Sequence, residues 1–124
     1  MSLVLIVEDN EKNMKLARDV LQAKGYATLE AVTGEEGVRL ALERKPDLVL
    51  MDIQLPGISG IEALRRLRTD PLNAKTPVVA LTASVTPTDR SQITQAGFDA
   101  ILGKPINLKE FLETVKRVLE TGRG

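Results

Sequence analysis

Hydrophobic positions along this chain fall into two alternating kinds of segment. Continuous apolar runs occur at Leu3–Val7 (LVLIV), Leu48–Met51 (LVLM) and Val78–Leu81 (VVAL). Short runs rich in Val and Leu read as strands buried on both faces. Two less apolar stretches, Tyr26–Ala31 and Ala100–Leu102, read as strands nearer the sheet edges. Between the runs, apolar residues recur at helical spacing. Met14, Ala17, Val20 and Leu21 share one face after the N-cap residue Asn10, and Gly25 supplies a stop. Thr33 and Glu36 have capping-box spacing ahead of Val38, Ala41 and Leu42; Ser59 and Glu62 repeat it ahead of Leu64 and Leu67. Thr86 and Pro87 pair a cap with proline at the first helical position. That fourth helix, Pro87–Ala96, is polar nearly all round, with Ile93 its main apolar residue. Asn107 and Glu110 open a last helix, predicted to bury Leu108, Phe111, Leu112, Val115 and Leu119.

Five strand–helix units therefore follow one another in 124 residues. Such alternation predicts an α/β fold, a parallel sheet with helices on both faces. A closed eight-stranded barrel needs about 250 residues and is excluded. What remains is a doubly wound five-stranded parallel sheet of order 2-1-3-4-5. No linker, repeat or low-complexity stretch interrupts the pattern. A single domain is expected over residues 1–124, with an ordered core at about 3–121 and a frayed tail at Thr121–Gly124.

Composition narrows the chemistry. Lys plus Arg and Asp plus Glu are 17 each, so the net charge is zero and the basic footprint of a nucleic-acid protein is missing. Tyr26, Phe98 and Phe111 are the only aromatics, too few for a base-stacking platform. Cys and His are both absent, which removes disulfides, thiolate or imidazole metal sites, and Ser-His-Asp or Cys-His catalysis. Any chemistry must use carboxylates, hydroxyls, Lys and backbone amides. The longest apolar run is Leu3–Val7, too short to span a membrane, and Glu8 and Asp9 interrupt it before it resembles a signal peptide. A cytoplasmic protein is expected.

In an open α/β sheet, ligands bind beyond the carboxyl ends of the strands, at the switch point. Here the first strand ends in Glu8 and Asp9, the third in Asp52, the fourth in Thr82, and the fifth is followed by Lys104. The order 2-1-3-4-5 gathers these groups on one edge. Each has an ordinary reading alone: Glu8 and Asp9 as helix caps, Asp52 as a turn residue, Thr82 as a strand-end hydroxyl, Lys104 as a solvated charge. Together, three acids within a few Å repel one another, and a hard cation resolves the repulsion. Mg²⁺ suits oxygen-only ligation by a few carboxylates, with waters and a phosphate oxygen completing its shell. Asp52 is then placed as a carboxylate nucleophile toward a phosphoryl group, with Thr82 and Lys104 on the phosphoryl oxygens.

These residues resemble the two-component response-regulator receiver domain, the CheY-like fold. The carriers are Val7–Asn10 (VEDN), Leu50–Gly57 (LMDIQLPG), Ser59–Gly60, Ala80–Ala83 (ALTA) and Gly103–Pro105 (GKP), spread from Val4 to about Leu119. The resemblance implies that Asp52 accepts phosphate from a phosphohistidine of a histidine kinase or phosphotransfer protein. It implies Mg²⁺ held by Glu8, Asp9, Asp52 and the backbone carbonyl of Gln54, phosphoryl oxygens bound by Thr82 and Lys104, and a cis Lys104–Pro105 bond. With no His of its own, the chain needs an external donor. Activity is expected to be confined to its own phosphorylation and dephosphorylation, with Gln54 and Ser84 flanking the path of the attacking water. Many receivers carry Tyr or Phe three residues before the Lys, as the partner of the Thr in a switch; here that position is Ile101. The Thr82 half is retained and the aromatic half is not.

The opening and the MDIQLP segment look similar to DivK-type single-domain regulators and to receivers of hybrid histidine kinases. Output is expected through a downstream protein bound at the face of the fourth helix, fifth strand and fifth helix, with no nucleic-acid contact and no membrane insertion by this domain. Two other classes fit the residues less well. An aspartate-nucleophile phosphatase of the haloacid dehalogenase type needs a second Asp two residues after the nucleophile, where this chain has Gln54. A flavodoxin-like cofactor binder needs a phosphate cradle after the first strand, where Glu8 and Asp9 would repel phosphate.

Overall fold

The computed structural model describes residues 2–84 and 86–122. Strands β1 (Leu3–Val7), β2 (Ala27–Ala31), β3 (Leu48–Asp52), β4 (Val78–Thr82) and β5 (Ala100–Gly103) alternate with helices α1 (Glu11–Ala23), α2 (Gly34–Arg44), α3 (Gly60–Arg68), α4 (Pro87–Ala96) and α5 (Leu108–Thr121). A short 3₁₀ turn, Pro71–Asn73, precedes β4 and was not anticipated. All strand pairings are parallel, in the order β2-β1-β3-β4-β5, as predicted.

Strand alternation divides the core in two. Val4, Ile6, Leu48, Leu50, Val79 and Leu81 pack with Met14, Ala17 and Leu21 of α1 and with Phe111, Val115 and Val118 of α5. Leu5, Val7, Val49, Met51, Val78 and Ala80 point the other way, onto Ala41 of α2, Ala63, Leu64 and Leu67 of α3, and Ile93 of α4. With side chains alternating across a pleat, an unbroken apolar run is what a strand covered on both faces requires. Each fully buried Leu, Ile or Phe contributes about 1.5–3 kcal/mol relative to exposure.

Every helix starts where the capping residues placed it. Side-chain oxygens of Asn10, Thr33, Ser59, Thr86 and Asn107 each accept the backbone N–H three residues on, at 3.0–3.2 Å. Gly25, at φ +89°, follows the end of α1.

Some boundaries and faces differ from the expectation. β2 begins at Ala27, one residue after Tyr26. β3 and β4 end at Asp52 and Thr82 as predicted, with Asp52 paired to Leu81 and Thr82 to Gly103. β1 stops at Val7, short of the expected end at Glu8 and Asp9, and β5 runs one residue further than predicted, to Gly103, which keeps its ladder pairing. Leu42 is 40% exposed and Leu108 47%. α2 approaches the sheet through Gly37 and Ala41, closely enough that a β-carbon on Gly37 would lie 2.7 Å from Val7 Cγ2, and with that face turned inward Leu42 points outward. Leu108 is the first residue of α5, before the helix comes to lie on the sheet; the buried stripe starts at Phe111. Val20, Leu112 and Leu119 are only partly buried. Thr121 closes α5 in helical conformation, while Arg123 and Gly124 of the expected tail lie outside the described residues.

Candidate functional site

The register brings the strand ends to one rim. Val7 of β1 pairs with Met51 of β3, so Glu8 and Asp52 each stand one residue further along neighbouring strands. Glu8 remains tied to the sheet through its N–H to Ala31 O at 3.0 Å. Ile53 N donates to Leu81 O at 3.0 Å, and Lys104 N donates to Thr82 O at 2.8 Å, so the ladder continues into the loops that carry the polar groups. The Lys104–Pro105 bond is cis. Gly60, first residue of α3, lies against β3: a β-carbon there would come 2.3 Å from Asp52 O.

Carboxylate oxygens of Glu8, Asp9 and Asp52 all lie within 4.8 Å of one another. Glu8 is 1% exposed and Asp52 4%, while Asp9 faces solvent. Asp52 Oδ1 accepts the Gln54 N–H at 3.0 Å and Oδ2 accepts from Lys104 Nζ at 2.7 Å. Lys104 Nζ is also 2.6 Å from Glu8 Oε1, an ion contact without hydrogen-bond alignment. The other Glu8 oxygen accepts the Asn10 N–H at 3.1 Å.

Burial pushes the Glu8 carboxyl up from its ordinary value; Lys104 and the Asn10 amide oppose that, and neighbouring Asp52 adds to it. For Lys104, burial is the largest influence and pulls the ammonium down, but Asp52 and Glu8 together outweigh it and leave the group raised. Lys104 is therefore the resident counter-charge. It is one cation among three acids, so two negative charges remain in excess at a partly desolvated rim. A divalent cation fits that remainder in charge, and the all-oxygen donor set fits Mg²⁺. Glu8, Asp9 and Asp52 are the side chains placed to hold it.

The remaining predicted residues are placed as follows. Thr82 ends β4, buried, but its hydroxyl is engaged by the next turn: it accepts the Ser84 N–H at 3.1 Å and donates to Ser84 O at 3.0 Å. The Gln54 side chain is exposed beside the rim. Ile101 is half-buried on β5, paired with Ala80 and packed against the core side that holds α2, α3 and α4. With Phe98, Asp99, Arg90 and Arg117 it borders a groove of about 700 Å³ between α4, β5 and α5. One contact escaped sequence reasoning. The Ser84 hydroxyl donates to Asp89 on α4. The Thr86–Asp89 spacing signalled a helix start, but nothing in it revealed that the Asp89 carboxylate turns back to the strand end.

Comparison with known proteins agrees with this geometry. The chain matches the response regulator receiver domain family over residues 4–116. It is 47% identical over 116 residues to the polar-differentiation response regulator DivK of Brucella anthropi, covering 94% of each protein. Among solved structures, the receiver domain of a Pseudomonas aeruginosa PAO1 sensor histidine kinase, with magnesium coordinated in its active-site cleft, superposes with a TM-score of 0.90 at 32% identity, over 96% of this chain and 98% of that one. Chemotaxis response regulator CheY4 of Vibrio cholerae superposes with a TM-score of 0.91 at 28% identity, over 95% and 98%. With its sheet order and rim of acids already established, the chain belongs to the response regulator receiver domain family, a family of signalling proteins and not of metabolic enzymes.

Proposed function

We propose that this chain is a Mg²⁺-dependent phosphorelay switch whose acceptor is Asp52. The observation that carries the reading is the buried Asp52 carboxylate, held on one oxygen by Lys104 and flanked within 4.8 Å by Glu8 and Asp9. Glu8, Asp9, Asp52 and the Gln54 carbonyl are the Mg²⁺ ligands. Bound Mg²⁺ supplies neutralisation of the phosphoryl oxygens. An Asp52 oxygen attacks phosphorus, the donor's P–N bond breaks as the new P–O bond forms, and the departing imidazole keeps the electron pair of the broken bond. Lys104 moves from balancing the carboxylate to balancing the phosphoryl group, and Thr82 donates to a phosphoryl oxygen. Because the chemistry is mostly positioning and charge stabilisation, the same rim promotes loss of the phosphoryl group to water, with Gln54 and Ser84 beside its path.

The donor is a histidine kinase or histidine phosphotransfer protein, since the chain has no His. The output partner is a protein bound at the α4–β5–α5 face. The half-buried Ile101 there fills the place of an aromatic switch residue by packing. We read residues 1–124 as one receiver domain acting as a cytoplasmic regulator. The match to the Brucella regulator over 94% of its length supports the regulator reading. Among the described residues no helix is long and apolar enough to cross a membrane. The likeness to a sensor-kinase receiver keeps the hybrid-kinase alternative in view.

The test is phosphotransfer profiling against the histidine kinases and phosphotransfer proteins of the source genome, alongside acetyl phosphate with Mg²⁺. Expected is a gel-retarded species on a phosphate-affinity gel that disappears in Asp52→Asn, because an amide is a poor nucleophile. Labelling that persists in Asp52→Asn, or no transfer from any donor, would overturn the reading.

A further inference from the structure

Thr82 is buried at the end of β4, yet its hydroxyl makes no use of the acid rim. It is closed into a ring with the Ser84 backbone, accepting from Ser84 N at 3.1 Å and donating to Ser84 O at 3.0 Å. Ser84 is gripped from the other side as well, because its own hydroxyl donates to the Asp89 carboxylate. Asp89 is itself fixed. It lies in the first turn of α4, and its N–H is capped by Thr86 Oγ1 at 3.2 Å. Three residues thus form one chain of hydrogen bonds from the strand end to the first turn of α4. A small cavity of about 120 Å³ opens beside it, bordered by Thr82, Ser84, Asp89 and Gln54, so the Thr82 hydroxyl has space to turn.

A hydroxyl has one proton to donate. Thr82 cannot donate to Ser84 O and to a phosphoryl oxygen together. We propose that Asp89 is a positioning residue that, by holding the Ser84 hydroxyl, keeps Ser84 where it captures the Thr82 hydroxyl, and so restrains the switch in its unphosphorylated form. Phosphorylation must draw Thr82 out of this ring, which frees Ser84 and transmits the event to the first turn of α4. The inference rests on the reading of Asp52 as acceptor, and it gives the switch a route to α4 that needs no aromatic partner at Ile101.

The experiment measures binding of beryllofluoride, a phosphoryl mimic, with Mg²⁺, using ¹⁹F NMR on wild type, Asp89→Ala, Asp89→Asn, Ser84→Ala and the double variant Ser84→Ala/Asp89→Ala. Circular dichroism checks folding. One neutral hydrogen bond corresponds to about a fivefold change in an equilibrium constant. Expected is an affinity about fivefold tighter in Asp89→Ala and in Ser84→Ala, no further gain in the double variant, and near wild-type affinity in Asp89→Asn, which keeps an acceptor for Ser84 and loses the charge. A second readout is the Thr82 side chain in the free protein: one rotamer by methyl NMR couplings in wild type, averaged rotamers in the two alanine variants. Affinities unchanged in the single variants, or multiplied in the double variant, would overturn the restraint while leaving the acceptor reading intact. Equal tightening in Asp89→Asn would reduce the effect to charge and also overturn it. A wild-type chain that takes up no beryllofluoride would overturn the acceptor reading and this inference with it.

Discussion

Lys104 Nζ lies 2.7 Å from Asp52 Oδ2 and 2.6 Å from Glu8 Oε1, so one ammonium serves two buried carboxylates together. The same group that balances the rim also competes with a metal for it. Lys104→Ala is expected to tighten Mg²⁺ binding about tenfold, since a unit charge a few Å away is removed from a partly desolvated site. It should also slow phosphoryl uptake from acetyl phosphate by about a hundredfold, because a charge placed for the phosphoryl oxygens is gone. Calorimetric titration and a phosphate-affinity gel read the two effects. Weaker Mg²⁺ binding in the variant would show that Lys104 organises the carboxylates more than it competes for them.

Uncompensated acidity at the rim makes folding respond to the metal. For a site of about millimolar affinity, about 10 mM Mg²⁺ should stabilise the chain by about 1.4 kcal/mol and raise Tm by about 3–6 °C. Chelator should reverse the rise. Asp9→Asn and Asp52→Asn should each shrink it. A scanning calorimeter showing equal Tm with Mg²⁺ and with chelator would count against the acid cluster as a cation site.

Gly60 has no space for a β-carbon, which would sit 2.3 Å from the carbonyl oxygen of Asp52. Backbone, unlike the end of a flexible side chain, yields poorly. Gly60→Ala is expected to cost about 2–4 kcal/mol in urea unfolding, despite the better helix propensity of Ala. The shift should also displace Asp52 and weaken Mg²⁺ binding. A variant as stable as wild type would mean that α3 can slide away from β3 at little cost.

The Asp89 carboxyl is held below its ordinary value of 3.8, first by the Ser84 hydroxyl and then by Thr86. Its folded value is depressed, so its contribution to stability is present above 3.8 and is lost as pH falls through the lower folded value. Carboxyl-detected NMR should record a midpoint under 3.8 in wild type and a return toward 3.8 in Ser84→Ala. A midpoint unmoved by Ser84→Ala would separate the two groups in solution.

Much of this architecture was legible because strand ends are legible. Apolar runs stopped at Glu8, Asp52 and Thr82, and parallel order turned those stops into neighbours. Capping residues fixed all five helix starts for an equally local reason: an Asn, Ser or Thr oxygen needs only the amide three residues on. What failed was what periodicity does not encode. It assigned Leu42 and Leu108 to an apolar face without knowing that Gly37 would bring α2 against Val7, or where α5 would first touch the sheet. It put Thr82 at the rim but carried nothing about its rotamer, so the turn of its hydroxyl toward Ser84 was invisible. The Pro71–Asn73 turn went unread because Asp70, which accepts the Leu72 N–H at 2.9 Å, organises it within a few residues and leaves no apolar period.

α4 buries a single side chain, Ile93. Undocking that anchor forfeits on the order of 1.5–3 kcal/mol, a small share of the stability of a domain. A helix held so lightly can be re-seated by an event as modest as one exchanged hydrogen bond, with both core layers left intact. Sensitivity to a single covalent mark then comes from economy of attachment: the fold keeps a lightly fastened helix next to the place where the mark is written.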